Sequence, residues 1–354
     1  MLKCQESYGK ILYPERINRA ASNITELWET AEMRNLRTLW SMTEGRGASL
    51  NSDYEKFRAL CDMMPQLDGH PVKRYCGDFL KRYFSCDFLP DAAHCDAIWR
   101  LTSDALLVHP LSVGDLLELS AKKQYLLWTE ATMPHNQPRN VLPELVADHL
   151  FTQPVSDVKR WMSDAEEMAD SFSLCGCDRV FFVLPDAFDF NAPDPYHVSQ
   201  ALSKKSRTAA ECDLLLSQLF RMMCEICLAR GWGMHFRVGA CADAATQLLA
   251  YAERTVGLPP IYWSTAVPST RDRLLVFTYL KHQNLVLPML CLSDYPSDGE
   301  LQAALSAYAA RYPIGMLHCT LGGDLRMWDA EQDRLNRIIL EREKIYDQID
   351  RCRF

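Results

Sequence analysis

The sequence contains no apolar run long enough to span a bilayer, no stretch rich in Gly, Ser or Pro, and no internal repeat. These absences argue against a membrane protein, a flexible linker between domains and a low-complexity array. Positive charge is not in excess either. Thirty-eight Lys and Arg face 46 Asp and Glu, a formal net charge of −8, which leaves no concentrated basic footprint for nucleic acid. The start, Met1-Leu2-Lys3-Cys4-Gln5-Glu6, lacks a basic-then-apolar signal pattern, so a cytoplasmic chain with reduced thiols is expected. The nine histidines are scattered, with no H-x-H, H-x-x-H or H-E-x-x-H spacing, so no metal cofactor is expected. The Gly-rich first turn of a dinucleotide fold is missing as well.

What is present is ordinary globular material: 354 residues, 48% hydrophobic and 24% charged. Up to about residue 121 the chain reads as helices joined by short loops. Asn23 with Glu26, and Ser52 with Glu55, stand in capping-box positions, and the second helix stops at Pro65. Val72, Tyr75, Phe79, Leu80 and Tyr83 form one apolar stripe. Beyond residue 121 the rhythm changes to short apolar runs at 125–128, 180–184, 235–238, 261–263, 287–292 and 314–318. Most are followed by amphipathic stretches, at 156–171, 209–230, 242–256, 270–283 and 299–312, and a charged helix runs from Asp329 to about Arg351. Short buried strands alternating with helices predict a parallel sheet, and five or six such units favour an α/β chain of the (β/α)8 barrel type. The expectation is one domain, 1–354, with residues 18–121 forming a mostly helical elaboration.

In such a barrel, chemistry sits at the C-terminal ends of the strands. That rule nominates Thr129, Glu130, Pro185, Asp186, Gly239, Ser264, Asp294, His318 and Cys319. Cys319 is the best nucleophile by type, although a buried structural thiol is its stronger reading; Glu130 with Asp294, or Asp186 with Asp189, are candidate acid–base couples, with solvated loop caps as the alternative. Arg237 is the oddest residue, a cation inside the apolar run Met234-His235-Phe236-Arg237-Val238. His235 shares its side parity. Facing inward, the two would form a basic spot for a carboxylate ligand; the alternative is an internal salt bridge. Cys175, Cys177, Cys224 and Cys227 offer four sulfurs for zinc, but their spacing is not that of a finger or ribbon, and buried thiols are the competing reading.

Asn23-Ile24-Thr25-Glu26-Leu27-Trp28, Ser52–Ala59 and Leu80-Lys81-Arg82-Tyr83-Phe84, with Pro65 and Pro71 between them, resemble the N-terminal half of uronate isomerases. Arg230-Gly231-Trp232-Gly233-Met234 leading to Val238-Gly239-Ala240 is similar to that family's fifth-strand region, and Gly315-Met316-Leu317 to its eighth. The resemblance implies an amidohydrolase-type (β/α)8 barrel. It also implies interconversion of D-glucuronate with D-fructuronate, or D-galacturonate with D-tagaturonate, usually at a divalent metal. The family's functional residues do not carry over. Its first-strand His-x-His falls on Gly9-Lys10-Ile11, its Asp-His pair on Phe181-Phe182, its fifth-strand His on Arg237, and its Asp-Ser-Arg on Cys319-Thr320-Leu321. Of an Arg-Pro-Asp only Asp148 remains, and of an Asp-His-Tyr-Lys-Trp-Arg segment, falling on Glu32–Arg37, only Arg37. The resemblance therefore implies an isomerase-like protein with impaired or absent catalysis, holding a uronic acid or other small carboxylate through Arg37, Arg237 and His235. The alternative is a non-catalytic binder of the same fold, forming a homo-oligomer or partnering an active paralogue.

Overall fold

The computed structural model describes residues 6–11, 16–43, 50–118, 123–128, 138–147, 157–281, 285–312, 317–320 and 322–351. Local sequence sets the element ends. Ser52 and Glu55 close the expected capping box on helix α3 (Asp53–Met63), while Asn23 caps α1 (Ile24–Trp28). Pro65 does not end the chain's turn outright: a 3-10 turn, Met64–Gln66, carries on through it before Pro71 opens α4 (Pro71–Phe84). Helices α2 (Ala31–Thr43), α5 (Cys95–Val108) and α6 (Val113–Glu118) complete the N-terminal layer. Its apolar centre is Trp28, whose ring meets Phe57 at 5.7 Å and Phe79 at 5.9 Å.

Eight strands form one sheet in sequential order, each described pair parallel. They are β1 (Glu6–Gly9), β2 (Lys123–Trp128), β3 (Val141–Val146), β4 (Arg179–Leu184), β5 (Gly233–Val238), β6 (Ile261–Ser264), β7 (Val286–Cys291) and β8 (His318–Thr320). Helices α7 (Val158–Leu174), α8 (Pro195–Ser203), α9 (Ala209–Arg230), α10 (Ala242–Thr255), α11 (Pro268–Lys281) and α12 (Asp298–Ala309) lie between consecutive strands from β3 onward, and α13 (Trp328–Arg351) follows the sheet. The first and last strands meet just past their ends. Lys10 and Asp324 form a parallel bridge, and the Lys10 N–H donates to the Gly323 carbonyl at 3.2 Å. Gly9 is required for that approach, because a Cβ there would stand 1.8 Å from the Gly323 oxygen.

The sheet has two unlike faces. Phe182, Met234, Phe236, Trp263 and Leu290 join the main apolar cluster that fills the helical side and continues to Trp28. Tyr125, Phe181, Met289 and Cys291, with Leu142, Val183 and Tyr262, form a separate cluster on the concave side. Among the described residues no helix is long and apolar enough to cross a membrane.

Candidate functional site at the C-terminal ends of the strands

On β5, His235 and Arg237 share the concave side, in register with Phe181 and Val183 of β4 and with Tyr262 and Ser264 of β6. They occupy different depths. His235 is 2% exposed and lies between two charged partners. Its Nδ1 pairs with the carboxylate of Glu144, which is wholly buried on β3, and its Nε2 is 2.8 Å from Nη1 of Arg179. A guanidinium can only donate, so Nε2 accepts from Arg179, while Nδ1 faces the Glu144 carboxylate. Arg179 lies over the Tyr125 ring at 4.4 Å and the Tyr262 ring at 5.2 Å. This layer sets a guanidinium and a carboxylate on either side of the imidazole and fills the sheet's interior near the strand starts.

Arg237 stands one step nearer the C-terminal ends. Its Nη1 and Nη2 donate to the two carboxylate oxygens of Asp294, at 3.1 and 2.6 Å, from a 3-10 turn that directly follows β7. The Asp294 side chain is 5% exposed and that of Arg237 is 32% exposed, so the pair reaches solvent through its cation. Ser264, opposite Arg237 in register, is 1% exposed, and its hydroxyl has no hydrogen-bond partner among the described residues. Burial and the Asp294 carboxylate push the Tyr295 phenol up to about 12, so it remains protonated. A second carboxylate reaches the same rim. A Cβ on Gly323 would lie 3.2 Å from Oε1 of Glu32 and 3.6 Å from Cβ of Ser293, the neighbour of Asp294.

The residues nominated from sequence therefore separate. Arg237, Asp294 and Ser264 are brought together. His235 lies deeper, against Glu144, so both side chains of this strand have internal partners. Arg37 is buried within the helical layer, its Nη2 2.5 Å from both carboxylate oxygens of Glu29. Cys319 is buried, in keeping with the reading of it as a structural thiol. It pairs in register with Leu290 and shares that residue's helix-facing cluster, whereas Met289 and Cys291 point into the sheet, so its thiol lies behind the strand ends. Glu130, Thr129 and Asp148 lie outside the described residues. Asp186 accepts from the Ala240 N–H at 2.9 Å and serves as a loop cap. His318 is exposed and packs on Tyr262 at 4.9 Å. Cys177 and Cys227 are buried and donate to the backbone carbonyls of Arg179 and Gly233, and Cys224 is buried as well, whereas Cys175 is exposed.

Sequence reasoning missed Glu144, Arg179 and Glu32. The signal for Glu144 was a charge inside the apolar run Val141-Leu142-Pro143-Glu144-Leu145-Val146, the same kind of signal that singled out Arg237.

No protein-family profile matches the chain. It superposes on the uronate isomerase of Thermotoga maritima with a TM-score of 0.73 at 12% identity, covering 95% of this chain and 86% of that one. It superposes on glucuronate isomerase from Caulobacter crescentus with a TM-score of 0.71 at 13% identity, covering 95% and 83%. The chain has the uronate isomerase fold. In sequence, a uronate isomerase of Oceanobacillus iheyensis is 28% identical over 113 residues, which is 31% of this chain and 24% of that protein. The aligned part thus spans about a quarter of that relative's length. The positions on which the sequence resemblance sets the family's metal ligands carry other residue types here. Gly9 and Ile11 offer no side-chain ligand, Phe181 is apolar, and Arg237 is itself a cation. Among the described residues no group of three or more His, Cys, Asp or Glu side chains is gathered to hold a metal ion.

Proposed function

We propose that this chain is a divergent uronate isomerase-like protein, folded as one domain on a closed (β/α)8 barrel, that binds a sugar acid without turning it over. The Arg237–Asp294 pair carries this reading. By the sequence resemblance, Arg237 occupies the place of the family's fifth-strand histidine, and a fixed guanidinium there substitutes for charge that a metal would supply. Aldose–ketose isomerisation needs a base placed at the carbon beside a carbonyl and an electrophile to polarise that carbonyl. Arg237 can serve a carboxylate or an oxyanion, but the proton-moving partner nearest it, Asp294, is engaged by the guanidinium itself. The sequential strand order and the Lys10–Asp324 bridge support the closed barrel, and the acidic composition supports small-molecule rather than nucleic-acid partners.

Two measurements test the reading. Incubation with D-glucuronate or D-galacturonate, with and without Mn or Zn, is expected to yield no ketose. Either acid is expected to raise the melting temperature, since a ligand selective for the native state must stabilise it. Turnover would overturn the loss of catalysis, and an unchanged melting temperature would overturn the binding.

A further inference from the structure

A cavity of about 70 Å³ lies on the helical side of the sheet, walled by α4, α6, β2 and the turn that leads into α13. Gln124 of β2 lines it. Strand neighbours face opposite ways, so Gln124 points away from the concave cluster that holds Tyr125. None of the strand-end residues Arg237, Asp294 and Ser264 borders this space.

Two of its lining residues carry polar atoms without partners. The Gln124 side chain belongs to a residue 1% exposed, and its Nε2 donates to the Leu117 carbonyl at 3.3 Å. That bond orients the amide, and Oε1 has no hydrogen-bond partner among the described residues. The hydroxyl of Tyr75, a residue 7% exposed, has none either. Burial raises the Tyr75 phenol far above its ordinary value, so it stays protonated. Buried polar atoms are nearly always paired, because each orphan gives up its hydration without return. A hydroxyl group supplies the donor that Gln124 Oε1 lacks and the lone pairs that the Tyr75 O–H lacks.

The rest of the wall changes character toward the surface. Tyr75, Phe79 and Tyr83 recur every fourth residue on one face of α4, with successive ring centroids 5.7 and 4.7 Å apart. Leu116 and Leu325 add aliphatic surface. Asp78 and Asp329 are exposed and form the mouth with Arg82. Asp329 pairs with Arg82, while Arg74 pairs with Asp78 at 3.4 Å and with Asp333 at 3.1 Å. Three carboxylates thus meet two guanidiniums, and the mouth carries a negative excess. The Arg326 guanidinium does not alter this, because Asp324 already holds it. Exposed ion pairs exchange partners at little cost, and the Tyr83 ring beside them favours a cation.

We propose that this cavity binds a small primary amino alcohol, its hydroxyl inside against Gln124 and Tyr75 and its ammonium at the carboxylates of the mouth. Asp78 lies three residues beyond Tyr75, and Asp329 three beyond Arg326. That step is about one helical turn, roughly 5 Å, which a chain of about three to four carbons spans. The proposal needs neither Arg237 nor a sugar acid, so it stands apart from the strand-end site.

Isothermal titration of the intact protein with aminobutanol at neutral pH tests it, beside butylamine, which lacks the hydroxyl, and butanol, which lacks the ammonium. Aminobutanol is expected to bind about tenfold more tightly than either analogue, because each analogue leaves one end of the site unpaired. Tyr75→Phe removes only the orphan hydroxyl. It should keep or raise the melting temperature of the free protein and shrink the preference for aminobutanol over butylamine. Asp78→Asn with Asp329→Asn should shrink the preference over butanol. Equal or absent binding of the three compounds would mean that water alone fills the cavity and would overturn the proposal. So would a preference over butylamine that Tyr75→Phe leaves intact, or a lower melting temperature in that variant, which would show the hydroxyl to be paired. The three-compound comparison on the wild-type protein decides the matter even where a variant folds poorly.

Discussion

Asp294, in the turn after β7, holds both terminal nitrogens of Arg237, at the end of β5, so two strands separated by β6 are tied at their C-terminal ends. Replacing Asp294 by Ala removes the anion and leaves the guanidinium without its carboxylate. Breaking a buried pair from one side costs several kcal/mol, but the Arg237 side chain is partly in water, so a loss of about 1–3 kcal/mol is expected. Urea denaturation measures it. The same variant should show a larger thermal shift with D-glucuronate than wild type, because a ligand carboxylate no longer competes with Asp294. Equal shifts in the two proteins would mean that Arg237 does not contact the acid.

Three helices start with a capping-box glutamate that also titrates. Glu55 accepts from the Ser52 N–H, Glu300 from the Ser297 N–H, and Glu211 from Lys204 and from the Thr208 N–H. Those bonds hold all three below the ordinary glutamate value of 4.5. A carboxyl whose folded value is depressed adds stability above its unfolded value and loses it as pH falls through the folded one. The melting temperature should therefore drop as pH falls below about 4.5, and a Glu55→Gln, Glu211→Gln, Glu300→Gln variant should show a shallower decline. Gln keeps the capping geometry without titrating. Parallel melting curves from pH 6 to pH 3 would count against this account.

Two glycines offer opposite outcomes for one chemical change. Gly77 lies inside α4 with nothing within 4 Å of an added Cβ. Gly77→Ala should stabilise the protein by about 0.5–1 kcal/mol through the lost freedom of the unfolded chain. Gly9→Ala drives its methyl into the Gly323 carbonyl and should cost about 1–3 kcal/mol, or more if the seam between β1 and β8 opens. Chemical denaturation of both variants reads the difference, and equal effects would show that the seam tolerates expansion.

Much of the architecture was legible because period and caps act locally. Helix α9, Ala209–Arg230, has the bounds that its apolar pattern implied, and the strand runs from 180, 235 and 261 are all present. β3 escaped notice because Pro143 and Glu144 interrupt its apolar run, although Pro143 stands in register with Leu126 in mid-sheet. Side parity told that His235 and Arg237 point the same way; it could not supply Asp294 or Glu144, which arrive through register accumulated over several strands. Cys319 shows the same limit. Adjacent strand residues face opposite sides, but only the pairing with β7 says which of them faces the helices.

Arg326 lies at the far end of the chain from the carbonyls it satisfies. Its guanidinium is buried, paired with Asp324, and it donates to the carbonyl oxygens of Leu27 and Glu29, 299 and 297 residues earlier. During synthesis the N-terminal helices emerge long before this arginine exists. Until it arrives, those carbonyls must stay hydrated, and the surface that later closes over them must remain open. The N-terminal helical layer is therefore made before strands β2 to β8 and is among the last parts to be sealed. Any ribosome-bound intermediate should keep its Trp28 region accessible until residue 326 has left the exit tunnel.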